Sequence, residues 1–498
     1  MAAGDGWLRV WVGPATLTLM IATAAAAVPV AAPAASVSTQ ERSPVIAQNA
    51  VRPQLPRAVD YALEPTQRGL APAAETIAEL SERGWDAEPL GLASRRGLTI
   101  RDALTGEHLV DVRADKAFTP ASIIKVLSAA AVMSEFPPQQ TFATTVVSGT
   151  KPTDIVLVAG GDQLLAPGRG SPTAVAGRAG LADLAEQTAK ALTESGVSKP
   201  VRLFLDTSYA EGSDVAPGWT DFWMTNGYAG RISMLALESD RALPGTPAPG
   251  NPAMRAAEAF REALEAQGVS LSTTKIRAAT ASDPAETDDT RETEETEETG
   301  EAGKSEQPPL ARVESAPLRD VLALALATSD NAMVEQLSRQ GSVAAGSGAR
   351  QKDVNAWVLH TMSDYYDLDI DGATLADTSG LSDGTRVPMR LVADVLGAGA
   401  SGAYPSLQSV LDGLPIAGYN GTMRDRFLLD SARSGLGVVR AKTGSLPSVT
   451  SLAGTVTTRD GRLLVFALTT NDVEGGPGAV EARAAIDVLV AYLADCGC

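Results

Sequence analysis

Three short motifs in the sequence carry residue types that could form one serine-based active site. They are Ser122-Ile-Ile-Lys125, Ser329-Asp330-Asn331 and Lys442-Thr443-Gly444-Ser445. A serine hydroxyl is a poor nucleophile at neutral pH and needs a neighbouring base to accept its proton. Each motif alone is weak evidence, because strings such as Ser-x-x-Lys are common in chains of this length. Together, each in a suitable local context, they indicate an acyl-transfer site.

Lys125 is the predicted base for Ser122. Residues three apart on a helix lie on the same face, one turn along, which brings the amine within hydrogen-bonding range of the hydroxyl. Burial or a nearby cation lowers the pKa of a lysine. The apolar run after Lys125 predicts a buried helix, and Lys442 is the expected second cation. The alternative is a helix start that carries one solvated lysine.

A Ser-His-Asp triad is a weaker possibility. His108 and His360 are the only histidines, and neither lies near a Gly-x-Ser-x-Gly pattern. The second motif could also be a helix N-cap, since Ser, Asp and Asn are capping residues, and both interpretations can hold at once. The third motif could be a strand end at a turn.

Composition excludes some classes of function. The formal net charge of −19 argues against nucleic acid as a partner. Cys496 and Cys498 are the only cysteines, so the chain has no disulfide framework and too few cysteines for a typical structural metal site. A local disulfide and two free thiols both fit this pair. No metal or cofactor is predicted.

The first 60 residues predict export. The stretch Val10 to Gln40 carries no charge and is rich in alanine. Residues 1–35 therefore predict a cleaved signal peptide or, as the alternative, a membrane anchor. Residues 36–60 are proline-rich and polar, and predict a linker. Both alternatives place the rest of the chain outside the cytoplasm.

The two ends of the folded part predict one antiparallel sheet. Alternating apolar residues around Thr105-Gly106 and around Asp460-Gly461 indicate two hairpins. The segment before Lys442 supplies a further strand, which makes five strands in all. A helix is predicted from about Ala479 to Ala494, with four residues on one apolar face: Val480, Ala484, Val488 and Tyr492.

A long segment separates the first two motifs. We predict that residues 61–141 and 311–498 form the catalytic domain and that 142–310 form one or two inserted domains of mixed α and β structure. From Asp283 to Glu306 there are eleven acidic and two basic residues, a net charge of −9. Such a run cannot bury apolar surface, so 280–309 is predicted to be a disordered loop.

The motif set resembles the active sites of penicillin-binding proteins and serine β-lactamases. The long insert, "DTSYAEGSDVAPGW" and "DTSGLSDGTRV" are similar to the class C, type-4 penicillin-binding proteins, which are D-alanyl-D-alanine carboxypeptidases and endopeptidases. The resemblance implies an α+β fold of the β-lactamase/D,D-peptidase type, with a five-stranded antiparallel sheet, flanking helices and a large inserted α/β domain. It covers about 90–498 apart from the acidic run.

The resemblance also implies a role for each motif residue. Ser122 is the expected nucleophile and Lys125 its proton acceptor. Ser329 relays a proton to the leaving amine, and Asn331 hydrogen-bonds the substrate or Lys125. In the third motif, Lys442 tunes the proton network. Three residues of that motif form the expected substrate-binding strand: Thr443, Gly444 and Ser445.

The expected function is an extracytoplasmic serine D,D-carboxypeptidase, with endopeptidase activity as an addition. Its expected substrate is the peptidoglycan stem peptide, and β-lactam antibiotics are expected covalent inhibitors. Two alternatives stay open at this point. One is a β-lactamase or esterase on the same fold, which would turn over a β-lactam rapidly. The other is an inactive cell-wall-binding scaffold, which no penicillin would label.

Overall fold

The computed structural model describes residues 73–85, 95–280 and 308–497. All of these belong to one compact unit, Ala58–Cys498. The predicted signal or anchor segment, the linker at 36–60 and the acidic run from Asp283 to Glu306 lie outside the described residues. Within the described ranges, no helix has the length and apolar character needed to cross a membrane.

The described residues form both helices and strands. The α-helices are α1 Ala74–Trp85, α2 Lys125–Glu135, α3 Leu181–Glu194, α4 Asp221–Thr225, α5 Pro252–Ala266, α6 Leu318–Thr328, α7 Asn331–Ala344, α8 Gln351–His360, α9 Met389–Ala400, α10 Pro405–Asp412 and α11 Pro477–Asp495. The strands are β1 Arg95–Asp102, β2 His108–Val112, β3 Ala117–Phe118, β4 Ala143–Ser148, β5 Asp154–Val158, β6 Asp162–Leu165, β7 Arg202–Asp206, β8 Leu235–Leu237, β9 Arg277–Ala278, β10 Ala311–Glu314, β11 Val387–Pro388, β12 Val439–Leu446, β13 Val449–Thr457 and β14 Leu463–Asn471. Short 3₁₀ helices span Ala121–Ile124, Glu238–Asp240, Gly421–Met423 and Asp430–Gly435, and a π-helix spans Thr361–Tyr365.

The predicted five-stranded sheet is confirmed, in the order β12-β13-β14-β1-β2 with every pair antiparallel. The two hairpins turn where the sequence predicted, between β1 and β2 and between β13 and β14. Strands from both ends of the chain therefore meet in one sheet, with β12 at its edge. This arrangement places the third motif, which lies on β12, at the border of the sheet.

Helices cover both faces of this sheet, so its central strands are apolar on both sides. Side chains alternate between faces along a strand. On β14, Phe466 and Leu468 pack with Ile486 of α11, while Val465 and Ala467 pack in the other core, together with Leu391 of α9. The nearly continuous apolar run of β14 follows from this double burial.

The C-terminal helix is longer than predicted, and the apolar face assigned from the sequence was wrong. Val480 is 62% exposed. The side that packs on the sheet contains five residues of one apolar cluster: Ala485, Ile486, Leu489, Val490 and Leu493. Because α11 is apolar over much of its circumference, the 3.6-residue period alone could not identify which side is buried.

A second five-stranded sheet has the order β10-β4-β5-β7-β9. Its β5-β7 and β7-β9 pairs are parallel, and the other two pairs are antiparallel. Helices α3 and α5 pack on it around Phe260, which is fully buried. The strand β10 pairs with β4 in this sheet, although the predicted boundary at residue 310 assigns β10 to the catalytic domain. The boundaries 142–310 and 311–498 stay a prediction.

Helix α2 runs through the centre of the helical part and is almost completely buried. Its alanine-rich sequence lets α7, α9 and α10 approach closely, within one apolar cluster that contains Leu127, Leu337 and Leu396. This packing fixes the start of α2, where the first motif lies. At the other end of the chain, Cys496 is disulfide-bonded, in agreement with the first of the two alternatives for the cysteine pair.

Candidate active site

Ser122 lies in a 3₁₀ turn, Ala121–Ile124, that leads directly into α2. The residue before it, Ala121, has a positive φ of 51°, which is unusual for a residue with a side chain. The carbonyl oxygen of Ala121 packs against Gly380, where any Cβ would collide with it. The backbone next to the serine is therefore held in a strained conformation by its neighbours, as is common at functional sites.

Lys125 is fully buried behind Ser122. Its Nζ lies 2.9 Å from Ser122 Oγ, 2.6 Å from Asn331 Oδ1 and 2.6 Å from the carbonyl oxygen of Ser379. Burial lowers the pKa of Lys125 to about 8, against the opposing effect of three carboxylates, Asp377, Glu335 and Asp330. At pH 7 about a tenth of the amine is thus unprotonated and can accept the serine proton.

Two of these carboxylates, Glu335 and Asp377, are buried and accept hydrogen bonds from backbone N–H groups of the segment 377–382. We call these two carboxylates and this segment the platform. Glu335 Oε1 accepts hydrogen bonds from the backbone N–H groups of Thr378 and Ser379, both at 2.8 Å. Asp377 accepts hydrogen bonds from Trp219 Nε1 and from the N–H groups of Gly380 and Ser382. Burial and the charge of Asp377 raise the pKa of Glu335 to about 7.

Sequence reasoning missed this platform as part of the site. The segment 377–382 was noted only as a family-like string, yet it supplies the Ser379 carbonyl that accepts from Lys125. Glu335 follows Asn331 by four residues on α7, so the two side chains share one face of the helix. Helical spacing from the second motif was the signal that could have identified Glu335.

The second motif both caps a helix and faces the cleft. Asp330 is the N-cap of α7, and its side chain accepts a hydrogen bond from Met333 N. Ser329 ends α6 in the left-handed region with φ of 57°, and Asn331 begins α7. The two interpretations of the motif hold together, because the sharp turn between the two helices points both flanking side chains toward the lysines.

Lys442 is the counterpart of Lys125 across the cleft. It is fully buried, and its Nζ lies 3.0 Å from Ser329 Oγ and 2.8 Å from the Thr443 carbonyl oxygen. Burial and the charge of Lys125 lower the pKa of Lys442 well below the ordinary value for lysine. The predicted effect of Lys442 on the pKa of Lys125 stays a prediction.

Strand β12 presents its outer edge to the cleft. The N–H of Ala441 donates to the Pro415 carbonyl, on the side away from β13. Backbone groups alternate along a strand, so the N–H groups of Thr443 and Ser445 also point away from β13. Between them, Gly444 lies so close to Pro120 that a Cβ would be 2.8 Å from its carbonyl oxygen and would collide with Ser451 Oγ. The glycine therefore lets β12 lie directly against the turn that carries Ser122.

The motif residues line one cleft of about 620 Å³. Ser122, Ser329, Asn331, Thr443 and Ser445 are all at its surface, whereas both lysines are buried beneath it. No group of three or more His, Cys, Asp or Glu side chains in the described ranges could hold a metal ion. The structure thus brings every predicted site residue to one place.

An aromatic group at one end of the cleft was not anticipated. Phe222, Trp223 and Tyr228 line it, with ring centroids 5.0 to 6.3 Å apart. The backbone carbonyl of Tyr228 accepts a hydrogen bond from Asn331 Nδ2 at 2.7 Å, which ties this group to the second motif. The three rings lie between the first two motifs in the sequence, where no short motif indicated them.

Comparison with known proteins gives consistent matches over most of the chain. The model of the D-Ala-D-Ala carboxypeptidase 3 (S13) family matches residues 86–252 and 292–493. The chain is similar to carboxypeptidase DacB of Mycolicibacterium smegmatis, with 34% identity over 99% of this chain and 98% of the relative. It is also 34% identical to a carboxypeptidase of Mycobacterium tuberculosis, over 86% of this chain and 88% of that one.

The fold is similar to that of a solved structure as well. Penicillin-binding protein 4 from Haemophilus influenzae superposes with a TM-score of 0.63 at 18% identity, over 82% of this chain and 98% of the other. At this identity the match concerns the fold, which agrees with the architecture expected from the three motifs.

Proposed function

The chain belongs to the D-Ala-D-Ala carboxypeptidase 3 (S13) family, and from this membership we propose that Ser122, Lys125, Ser329, Asn331 and Lys442 perform its serine-peptidase chemistry. The predicted family, fold and enzyme class are confirmed by the matches. The assignment of individual residues is our proposal. The observation that carries it is the pairing of two serines with two buried lysines: Lys125 with Ser122 at 2.9 Å and Lys442 with Ser329 at 3.0 Å.

In the acylation step, unprotonated Lys125 accepts the proton of Ser122 as Oγ attacks the carbonyl carbon of the penultimate D-alanine. A C–O bond forms, and the negative charge moves to the carbonyl oxygen. The N–H groups of Ser122 and Ser445 are the proposed donors to this oxyanion, the interaction that usually contributes most to such reactions. Strand geometry supports Ser445 in this role, since its N–H points away from β13.

Collapse of this intermediate breaks the C–N bond and requires a proton on the leaving amine. Ser329, which is hydrogen-bonded to Lys442, is positioned to donate it. The proton that Lys125 took from Ser122 then replaces it on the Ser329–Lys442 pair, so Lys125 is unprotonated again. In the deacylation step, a water molecule attacks the ester, Lys125 accepts its proton, and that proton passes to Ser122 as the C–O bond breaks. Asn331 holds the Lys125 amine in place at 2.6 Å throughout.

The proposed substrate is a peptide that ends in D-alanyl-D-alanine, such as the stem peptide of peptidoglycan. An extended peptide can pair with the free edge of β12 by backbone hydrogen bonds. The hydroxyls of Thr443 and Ser445 lie on that edge and are suited to donate hydrogen bonds to the terminal carboxylate of the peptide. A third relative, from Actinomadura, is named a D-alanyl-D-alanine carboxypeptidase and is 28% identical over 80% of this chain.

Two further proposals accompany this substrate. β-Lactams carry a strained amide and a carboxylate that are placed as the terminal amide and carboxylate are in the peptide. We therefore expect them to acylate Ser122 and to be released slowly.

The second proposal concerns location. Because peptidoglycan lies outside the cytoplasm, the enzyme must act there as well. The uncharged stretch from Val10 to Gln40 supports export.

Intact mass measurement tests the assignment directly. After incubation with benzylpenicillin, the protein should gain the mass of one penicilloyl group, and a D-alanyl-D-alanine peptide should lose its terminal residue. Ser122→Ala should show neither change, because only the nucleophilic oxygen is removed. Retention of the adduct in Ser122→Ala would refute the nucleophile. Rapid loss of the adduct in the parent, without peptide cleavage, would indicate a β-lactamase instead.

A further inference from the structure

Three arginines line the cleft, and they differ in how their charge is balanced. Arg241, Arg426 and Arg483 all contribute to its surface. Lys125 and Lys442 are not at that surface, since both are fully buried. Among the described residues that line the cleft, these three arginines are therefore the positively charged side chains.

Two of the three are already neutralised. Arg241 donates from Nε to Asp330 Oδ2 at 2.9 Å and from its second nitrogen to Thr328 Oγ1 at 2.8 Å. Arg426 is buried and makes a two-pronged ion pair with Asp487, with N–O distances of 2.5 to 3.0 Å. Each of these guanidinium groups has a carboxylate partner within the protein.

Arg483 has no such partner. Its side chain is exposed on α11, and within the described part of the chain it makes no hydrogen bond or ion pair. The carboxylate four residues along the helix, Asp487, is occupied by Arg426 and by the N–H of Phe427. Partial burial and the charge of Arg426 lower the pKa of Arg483, and Asp487 opposes this effect. Two arginines thus share one carboxylate, which leaves one positive charge unbalanced.

The cleft that Arg483 lines also carries hydroxyl groups. Thr422, Thr443, Ser445 and Arg426 line the same cleft, and Thr443 Oγ1 is 2.8 Å from Thr422 Oγ1. Hydroxyls hydrogen-bond a carboxylate but cannot neutralise it, whereas a guanidinium does both. The aromatic rings Phe222, Trp223 and Tyr228 contribute the apolar part of the lining.

We propose that Arg483 is a specificity-determining residue that binds the free C-terminal carboxylate of the substrate, beside the hydroxyls of Thr443 and Ser445. This inference rests on the proposed function, because it assumes a substrate that ends in a carboxylate. It adds a positively charged partner from the C-terminal helix, outside all three motifs. The hydroxyls orient the carboxylate, and Arg483 supplies the charge that discriminates an acid from its uncharged derivative.

The experiment compares acids with their uncharged derivatives. One pair is benzylpenicillin and its methyl ester, with acylation followed by intact mass. The other pair is a D-alanyl-D-alanine peptide and its C-terminal amide, with kcat/KM measured for cleavage. Arg483→Ala should lower the rate constants for both acids by roughly 10- to 100-fold and change those for the ester and the amide less than about twofold. Arg483→Lys, which keeps the charge, should recover a large part of the loss.

A control variant and a salt titration make the result specific. Arg277→Ala removes an exposed arginine that does not line the cleft, so it should leave all four rate constants unchanged. Raising ionic strength should reduce the acid-over-ester preference of the parent and have little effect on that of Arg483→Ala.

The possible outcomes separate the inference from the proposed function. Equal losses on acid and ester, or no loss on either, would overturn the assignment of Arg483. If the parent is acylated by penicillin but cleaves no peptide, the proposed peptidase function fails, and the penicillin pair still decides about the arginine. If the parent is acylated by neither penicillin and cleaves no peptide, both proposals fall.

Discussion

Lys125 and Lys442 are both fully buried, but only Lys125 has carboxylates among the groups that shift its pKa. Three carboxylates stabilise the positive charge on Lys125, whereas the causes that act on Lys442 are burial and the charge of Lys125, both unfavourable to its protonated form. The two amines are hydrogen-bonded to different serines, Ser122 and Ser329. The two buried lysines thus lie in different electrostatic surroundings, each beside one of the two serines.

The first prediction concerns pH. An amine accepts the proton of Ser122 only when it is unprotonated, and the pKa of Lys125 is about 8. The acylation rate constant for benzylpenicillin should therefore rise by about tenfold per pH unit below pH 8 and level off above it. Stopped-flow or quenched intact-mass measurements from pH 6 to 9.5 test this, with the melting temperature recorded at each pH. A flat profile across that range would contradict Lys125 as the base.

The second prediction separates the chemistry of Lys442 from its contribution to stability. Lys442→Met keeps the length of the side chain and removes a buried amine, whose pKa is lowered by burial and by the charge of Lys125. The free energy of unfolding should change by no more than about 1 kcal/mol. Acylation and peptide cleavage should fall by roughly 100-fold or more, because Ser329 loses its proton-transfer partner.

Lys352→Met is a suitable control for Lys442→Met. Lys352 is exposed on α8 and does not line the cleft, so its replacement should affect neither property. A fully active Lys442→Met enzyme would reduce the third motif to a structural strand end. A large loss of stability would instead show that the amine is needed for folding.

The third prediction concerns Glu335, whose charge raises the pKa of Lys125. Glu335→Gln removes that charge but keeps an oxygen that can accept from the N–H groups of Thr378 and Ser379. The midpoint of the pH–acylation profile should move to lower pH. Glu481→Gln, an exposed change on α11, should leave the midpoint where it is. A midpoint that moves upward would be incompatible with the proposed electrostatic effect.

Glu335→Ala provides a second arm of the same test. It leaves two buried N–H groups without their acceptor, which costs about 1–3 kcal/mol for each unsatisfied group. Its melting temperature should fall clearly below that of Glu335→Gln, as measured by differential scanning calorimetry. Equal melting temperatures would mean that the carboxylate does not hold the 377–382 segment in place.

The fourth prediction concerns the contact between β12 and the serine turn. In Gly444→Ala the new Cβ would collide with Ser451 Oγ and lie 2.8 Å from the Pro120 carbonyl oxygen. Either β12 or the turn must shift, so Ser122 and the Ser445 N–H should separate and acylation should fall by roughly 100-fold. Gly397→Ala has open space around its Cβ in α9 and should keep full activity. Equal activity in the two variants would show that the close approach is not required.

Local sequence was sufficient for the features that depend on neighbouring residues. The hairpins and the capping of α7 each follow from residues a few positions apart. The spacing of Ser122 and Lys125 is of the same kind, because one helical turn alone brings them together. The order of the three motifs, with the family-like segments between them, then indicated a fold and an enzyme class.

Only the tertiary structure decided the electrostatics and the boundaries of the cleft. The carboxylates below Lys125 come from α7 and from the segment 377–382, far from the first motif, and pattern reasoning had no way to sum their effects on one amine. The same holds for the buried side of α11, for the aromatic group at Phe222 and for the unbalanced charge of Arg483. Burial and charge balance depend on which distant segments of the chain pack together. Motif spacing indicates only which side chains one short stretch of backbone brings close to each other.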